Sequence, residues 1–256
     1  MTVPDPTRPV DVLTVTSVHD VTPSVRRVLL SGTPAAAAAA GPTISLLGPR
    51  VGDPAPRWPS VQRDGRIVWP EGAHGVSLRS YTARRQDPER GEVEIDFVLH
   101  GDGPAAAWAG AAVPGTTVAV AGGGPLGDRP AGWLLLAGDE TALPAITRIL
   151  ASAPPSTRGI ALVEVADAAE EQPLPAPEGV EVRWLHRDGT PPGEGTLLAD
   201  AVAALERPEG EDLFAWVAAE SATVRAVRAD LRGRWGLSRA QHHAIGYWRR
   251  GRAMGG

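Results

Sequence analysis

The hydrophobic period of this chain changes once, and that change divides it. Up to about residue 121 the apolar residues fall in short, β-branched runs bounded by Gly, Pro or Asp: Val10 to Val18, Val25 to Leu30, Thr43 to Leu47, Glu92 to Leu99 and Thr117 to Ala121. Runs of this kind point to a small antiparallel barrel. In the fourth, Val93, Ile95, Phe97 and Leu99 alternate with Glu94, Asp96 and Val98, so one face is fully apolar. Arg50 to Gly75 is rich in Pro, Gly and Arg and reads as an extended loop with a hairpin around Arg66-Ile67-Val68-Trp69.

Beyond that point the pattern alternates between continuous apolar strands and amphipathic helices. Strands are predicted at Trp133 to Ala137, Ile160 to Val165, Val180 to Leu185, Leu213 to Ala218 and Ala244 to Trp248, with helices at Thr141 to Leu150, Leu197 to Leu205 and Ser221 to Leu231. Such interleaving indicates a parallel sheet covered on both faces. The expected fold is therefore α+β in two domains: an antiparallel β-barrel over residues 1–127, then an α/β nucleotide-binding domain over residues 128–256. The boundary is placed in the Gly/Pro cluster between Gly122 and Gly132.

Composition removes several functions. A net charge of -5 argues against nucleic acid or an anionic membrane as partner, since both need a basic face. With no cysteine there is no disulfide, thiolate nucleophile or cysteine-ligated iron–sulfur cluster, and with no lysine there is no Schiff-base chemistry. Any electron carrier must be organic or borrowed. The N-terminus lacks a basic start and an apolar run, and Ala35 to Ala40 is too short to span a bilayer, so the cytoplasm is the expected address. His242 and His243 are adjacent, so a strand would point them to opposite faces and make them a poor metal pair.

The chemistry-bearing residues cluster. Arg79-Ser80-Tyr81-Thr82 supplies a guanidinium suited to phosphate, an aromatic face suited to a flat ring and hydroxyls suited to a ring nitrogen. On a strand Arg79 and Tyr81 share a face while Thr82 points away, so one ligand meets all three only if the strand kinks. Taken alone, such a strand equally suits an ordinary barrel edge. His100 follows the next strand, and Gly103-Pro104 suits the start of a helix whose free amides bind phosphate, or a plain turn before a helix that buries Trp108. Gly122 to Gly127 spells G-x-G-x-x-G, but the residues after it cannot open a helix, so a linker is the better reading. In Gly138-Asp139-Glu140-Thr141-Ala142-Leu143-Pro144, the three polar residues would cap the following helix themselves.

In order, R-x-Y-T, then D-F-V-L-H, then G-P-A-x-x-W-A, G-D-E-T-A-L-P-A-I and finally G-Y-W-R resemble the siderophore-interacting protein family, a branch of the ferredoxin-reductase-like flavoproteins. The resemblance covers nearly the whole chain. It implies FAD bound by Arg79, Ser80, Tyr81, Thr82, Val98, His100, Gly103, Pro104, Ala105, Ala106 and Trp108, with Thr82 and His100 against the reactive ring. It also implies NADH or NADPH near Asp139, Glu140, Thr141, Tyr247 and Trp248, and a ferric siderophore or other small molecule met by Arg249 and Arg250. The implied activity is hydride transfer from NAD(P)H to FAD, followed by electron transfer to the ferric siderophore and release of Fe(II). Three departures from the family pattern, Ala106, the Gly122 to Gly127 run and Ala219, fall where a cofactor would touch. They keep open an alternative in which the scaffold serves small-molecule biosynthetic chemistry or binds a ligand without turnover.

Overall fold

The computed structural model describes residues 8–49, 53, 56–62, 64, 66–99, 103–210 and 212–251. The chain forms two compact units, one ending at Pro125 and the other beginning at Leu126.

The first unit contains β1 (Arg8–Pro9), β2 (Asp11–Thr22), β3 (Val25–Ser31), α1 (Pro34–Ala39), β4 (Thr43–Gly48), β5 (Ser60–Val61), β6 (Ile67–Val68), β7 (Ser77–Asp87), β8 (Glu92–Val98), α2 (Pro104–Ala111) and β9 (Thr117–Gly124). Six of these strands close an antiparallel barrel in the order β2-β3-β8-β7-β4-β9, and β9 returns to pair with β2. The alternation in β8 sends Val93, Ile95 and Phe97 into a core shared with Leu13, Val28, Leu30 and Ile44. Burying each such side chain contributes roughly 1.5–3 kcal/mol. Asp96 lies on the opposite face and is nonetheless buried, because Arg27, directly across on β3, donates to both its oxygens at 2.6 and 2.8 Å. The expected hairpin is present as β5 and β6, joined by β1 in a small separate sheet.

Ala35 to Ala40, too short to span a bilayer, supplies most of α1, which the Thr33 hydroxyl caps by accepting from the Ala36 amide at 3.1 Å. One sequence expectation needs correction. Gly122 to Gly124, read as linker, continues β9 and closes the barrel against β4. The reason is steric: a Cβ on Gly123 would lie 1.9 Å from the Ala40 carbonyl oxygen and 2.1 Å from that of Thr43. The Thr43 hydroxyl then locks the seam, accepting from the Gly124 amide at 3.0 Å and donating to its carbonyl at 2.9 Å.

The second unit contains β10 (Trp133–Asp139), α3 (Leu143–Ser152), β11 (Arg158–Val165), β12 (Val180–His186), α4 (Leu197–Ala203), β13 (Leu213–Glu220), α5 (Ser221–Gly233) and β14 (His242–Trp248). Its five strands run parallel in the order β12-β11-β10-β13-β14. Leu134, Leu136, Val163 and Trp216 pack with α3 on one face. Leu135, Leu162 and Val217 pack with α4 and α5 on the other. Covering both faces is why these strands read as continuous apolar runs. His243 stacks on Trp216, with centroids 6.4 Å apart, while His242 Nδ1 donates to the Ser238 carbonyl oxygen at 2.7 Å, so the pair is split between two environments.

Candidate functional site

In the barrel, β7 turns Ser77, Arg79 and Tyr81 to one side by simple alternation, and a cleft opens there. Leu46, Gly48, Phe97, Ala105, Trp108 and Val118 complete its lining. Its floor is a chain of rings. Tyr81 packs on Phe97 with centroids 4.6 Å apart, and Phe97 packs on Trp108 at 5.5 Å. Burial pushes the Tyr81 hydroxyl up to about 12, so it stays neutral and acts as a hydrogen-bonding ring rather than an acid. Arg79 brings the cation to the lining, with one of its nitrogens 2.6 Å from the Leu78 carbonyl oxygen.

At the cleft the buried Trp108 indole nitrogen has no hydrogen-bond partner among the described residues; the Thr82 hydroxyl has none either, but Thr82 is not part of the lining. Native proteins rarely leave such groups unpaired. At the start of α2, the first amide to bond back is that of Ala107, to the Gly103 carbonyl at 2.9 Å, so the Ala105 and Ala106 amides have no intrahelical partner. No side chain caps this end, no acid sits in its first turn, and a Cβ on Gly103 would meet nothing within 4 Å.

The other sequence-predicted residues of this unit separate. Thr82 is buried beside Ala83, just before the register of β7 against β8 shifts. Ser80 is exposed on the opposite side of β7, 3.5 Å from Ser45. Val98 ends β8 half-buried, and Gly103 and Pro104 are exposed at the start of α2. His100 lies outside the described residues. Sequence reasoning missed Ser77 and Phe97 as lining residues, although Ser77 precedes Arg79 by one strand period and Phe97 stood on the apolar face of β8.

In the second unit, the chain leaves β10 toward β11 and β12, then returns to place β13 and β14 on the other side. The ends of β10 and β13 therefore form the switch point where α/β sheets bind ligands. Asp139 and Glu220 sit there, both buried. Oδ1 of Asp139 accepts from the Thr141 amide at 3.0 Å and its hydroxyl at 2.5 Å, and Oδ2 accepts from the Glu220 amide at 3.1 Å and the Trp248 indole at 2.7 Å. Burial still pushes its carboxyl up to about 6. Glu220 accepts from the Ala222 and Thr223 amides at the start of α5. Glu140 pairs with the buried Arg187, which also reaches Glu164 at 3.5 Å, and burial raises the Glu164 carboxyl. Asp139, Glu140 and Thr141 are thus committed inward. Tyr247 meets the edge of Trp216 at 6.1 Å, Arg249 is exposed, and Arg250 donates to Glu194 at 2.6 Å.

Among the described residues no group of His, Asp and Glu is arranged to hold a metal, and no helix is long and apolar enough to cross a membrane.

A family profile described as "Siderophore-interacting FAD-binding domain" matches residues 14–127, and one described as "Siderophore-interacting protein" matches residues 131–251. The ferric vibriobactin reductase ViuB of Vibrio cholerae is 37% identical over 198 residues, spanning 75% of this chain and 71% of that protein. The crystal structure of a siderophore utilization protein from T. fusca is 35% identical with a TM-score of 0.82, covering 97% of this chain and 96% of that one. The siderophore-interacting protein SipS of Aeromonas hydrophila is 30% identical with a TM-score of 0.81, covering 97% and 94%. At 15% identity and a TM-score of 0.61, over 90% of this chain and 95% of that one, the cytochrome b5 reductase domain of Ulva prolifera nitrate reductase shares the fold alone. With a closed antiparallel barrel followed by a covered parallel sheet, the chain has the ferredoxin-reductase-like fold and belongs to the siderophore-interacting protein family, as a FAD-binding oxidoreductase relative of ferric vibriobactin reductase.

Proposed function

We propose that the protein takes electrons from NADH or NADPH onto bound FAD and passes them to a ferric siderophore, releasing Fe(II). Bound FAD supplies the redox chemistry by accepting a hydride and giving up electrons singly, and the protein supplies binding and orientation. The observation that carries this reading is the barrel cleft, where a guanidinium, an aromatic floor and an unpartnered indole meet beside two unbonded helix amides. In it Arg79 holds a flavin phosphate, Tyr81 lies against the ring system, and the Ala105 and Ala106 amides take a second phosphate contact. The Thr82 hydroxyl and His100 serve the ring edge. Val98, Gly103 and Pro104 shape the wall, and Ser80, exposed on the opposite side of β7, is given no role in holding the flavin.

The similarity to ferric vibriobactin reductase supports a ferric siderophore as electron acceptor, with Arg249 and Arg250 as the cations offered to an anionic ligand. For the nicotinamide nucleotide, the support is the switch point in the strand order of the second unit, beside which Trp248, preceded by Tyr247, donates to Asp139. The amides of Thr141, Ala222 and Thr223 are taken by Asp139 and Glu220, so no phosphate is assigned to them and no step runs through Asp139 or Glu140. A cytoplasmic address is part of the same proposal.

The test is the visible spectrum of the purified protein with FAD, recorded without oxygen before and after adding NADH or NADPH, and again with a ferric siderophore. A flavin band that bleaches and then recovers with the siderophore is the expected result. A flavin band that persists places the electron source elsewhere, and no flavin band at all overturns the reductase reading in favour of the reused scaffold.

A further inference from the structure

Residues 188–196, which lead from β12 into α4, have both ends tied to one side chain. Glu164, buried near the end of β11, meets the Arg187 guanidinium at 3.5 Å on one side of the segment and accepts from the Leu198 amide at 3.2 Å on the other. Arg187 is fixed further by Glu140. The segment is thus a loop whose ends lie together at β11. Its tip lies elsewhere. A Cβ on Gly193 would stand 2.8 Å from Trp248 Cη2 and 3.0 Å from Glu220 Cγ, at the ends of β14 and β13. β11 and β13 are two strand spacings apart, about 10 Å, with β10 between them, a distance that a few extended residues span. The loop therefore crosses the end of β10, where Asp139 and Glu140 stand.

Its composition fits a part that moves as a piece. Gly189 and Gly195 take positive φ, and a Cβ would meet nothing within 4 Å at the first and only the Thr190 methyl, at 3.8 Å, at the second. Pro191-Pro192 stiffens the stretch between them. Every residue of the loop is exposed except Gly193, which is half-buried where it is seated. One ion pair closes the loop: Arg250 donates to Glu194 at 2.6 Å. Those two side chains are 60% and 47% exposed, so the pair holds only weakly.

We propose that residues 188–196 are a flap that closes the switch point of the second unit and lifts before a dinucleotide lies across the ends of β10 and β13. This rests on that switch point being the nicotinamide site. Gly189 and Gly195 are the hinges, Gly193 on Trp248 and Glu220 is the seat, and Glu194 with Arg250 is the latch. An anion that takes Arg250 releases Glu194 and frees the flap. While the flap is down, the apparent affinity for the nucleotide is reduced by the fraction of molecules that are open.

The experiment follows amide hydrogen exchange of residues 188–196 by mass spectrometry, and the dissociation constants of NADH and NADPH by calorimetry, in the full chain. Glu194→Gln removes the latch from an exposed position. Gly193→Ala removes the seat, because both its φ of 70° and the Cβ contacts oppose closure. Exchange of the flap is expected to quicken, with β10 and β13 unchanged, and nucleotide binding to tighten about threefold in Glu194→Gln and about tenfold in Gly193→Ala. Flap exchange at the wild-type rate in both variants overturns the inference, as does faster exchange that spreads into β10 and β13. Faster exchange of the flap with nucleotide binding unchanged or weaker also overturns it and leaves the proposed function standing. If neither the wild type nor the variants bind NADH or NADPH, the nicotinamide reading fails, and the inference with it.

Discussion

Asp139 is an acceptor surrounded by four donors, from Thr141, Glu220 and Trp248, at the point where β10 and β13 diverge. Its carboxyl is raised to about 6 by burial, above the 3.8 of an unfolded chain. The folded state therefore holds this proton more tightly, so the contribution to stability is full below about pH 4 and is lost as pH rises through 6, an effect worth about 3 kcal/mol. The margin by which the wild type exceeds Asp139→Asn in urea midpoint stability should shrink by that amount between pH 4 and pH 7. A margin that stays constant would show that Asp139 ionises like an exposed aspartate. At this scale the sequence was informative about residue type and mute about direction. G-D-E-T pointed to a helix start, and three polar residues do gather there, but nothing in their order told that Glu140 would turn to Arg187, 47 positions away.

At the scale of elements, β9 shows what a glycine run can mean. Gly123 lies where the backbone of the barrel approaches most closely, against the carbonyls of Ala40 and Thr43. Gly123→Ala is expected to cost about 3 kcal/mol or more, because the clash is with backbone that cannot step aside, and a thermal melt within 2 °C of the wild type would refute this. The same run read as linker in the sequence because glycine weakens a strand pattern just as it marks a turn. The elements read correctly were those whose burial imposes a period, such as β8 and the five parallel strands. In β7 the alternation of Arg79 and Tyr81 was legible, and so was half of the cleft. The other half comes from Leu46, Phe97 and Val118 on three further strands, and only the closed barrel brings them beside it.

At the scale of the whole molecule, the two units differ in how far apart in the chain their contacts lie. In the second, β10 pairs directly with β11, the next strand to be made. In the first, closure joins Asp11 to Val120 and Thr14 to Thr117. A chain of residues 1–116 lacks β9 and should be cut readily by limited proteolysis, while a chain of residues 1–127 should resist. Equal resistance would show that five strands suffice. The late partnership of β2 and β9 also has a consequence for the cell. From the completion of β4 at Gly48 until β9 is made through Gly124, roughly 4 to 15 s of synthesis, the outer edges of β2 and β4 have no neighbour to pair with. For that interval the nascent barrel carries two open strand edges, each able to recruit a foreign strand, and yield of soluble protein should depend on the speed of translation and on chaperone supply rather than on the stability of the finished fold.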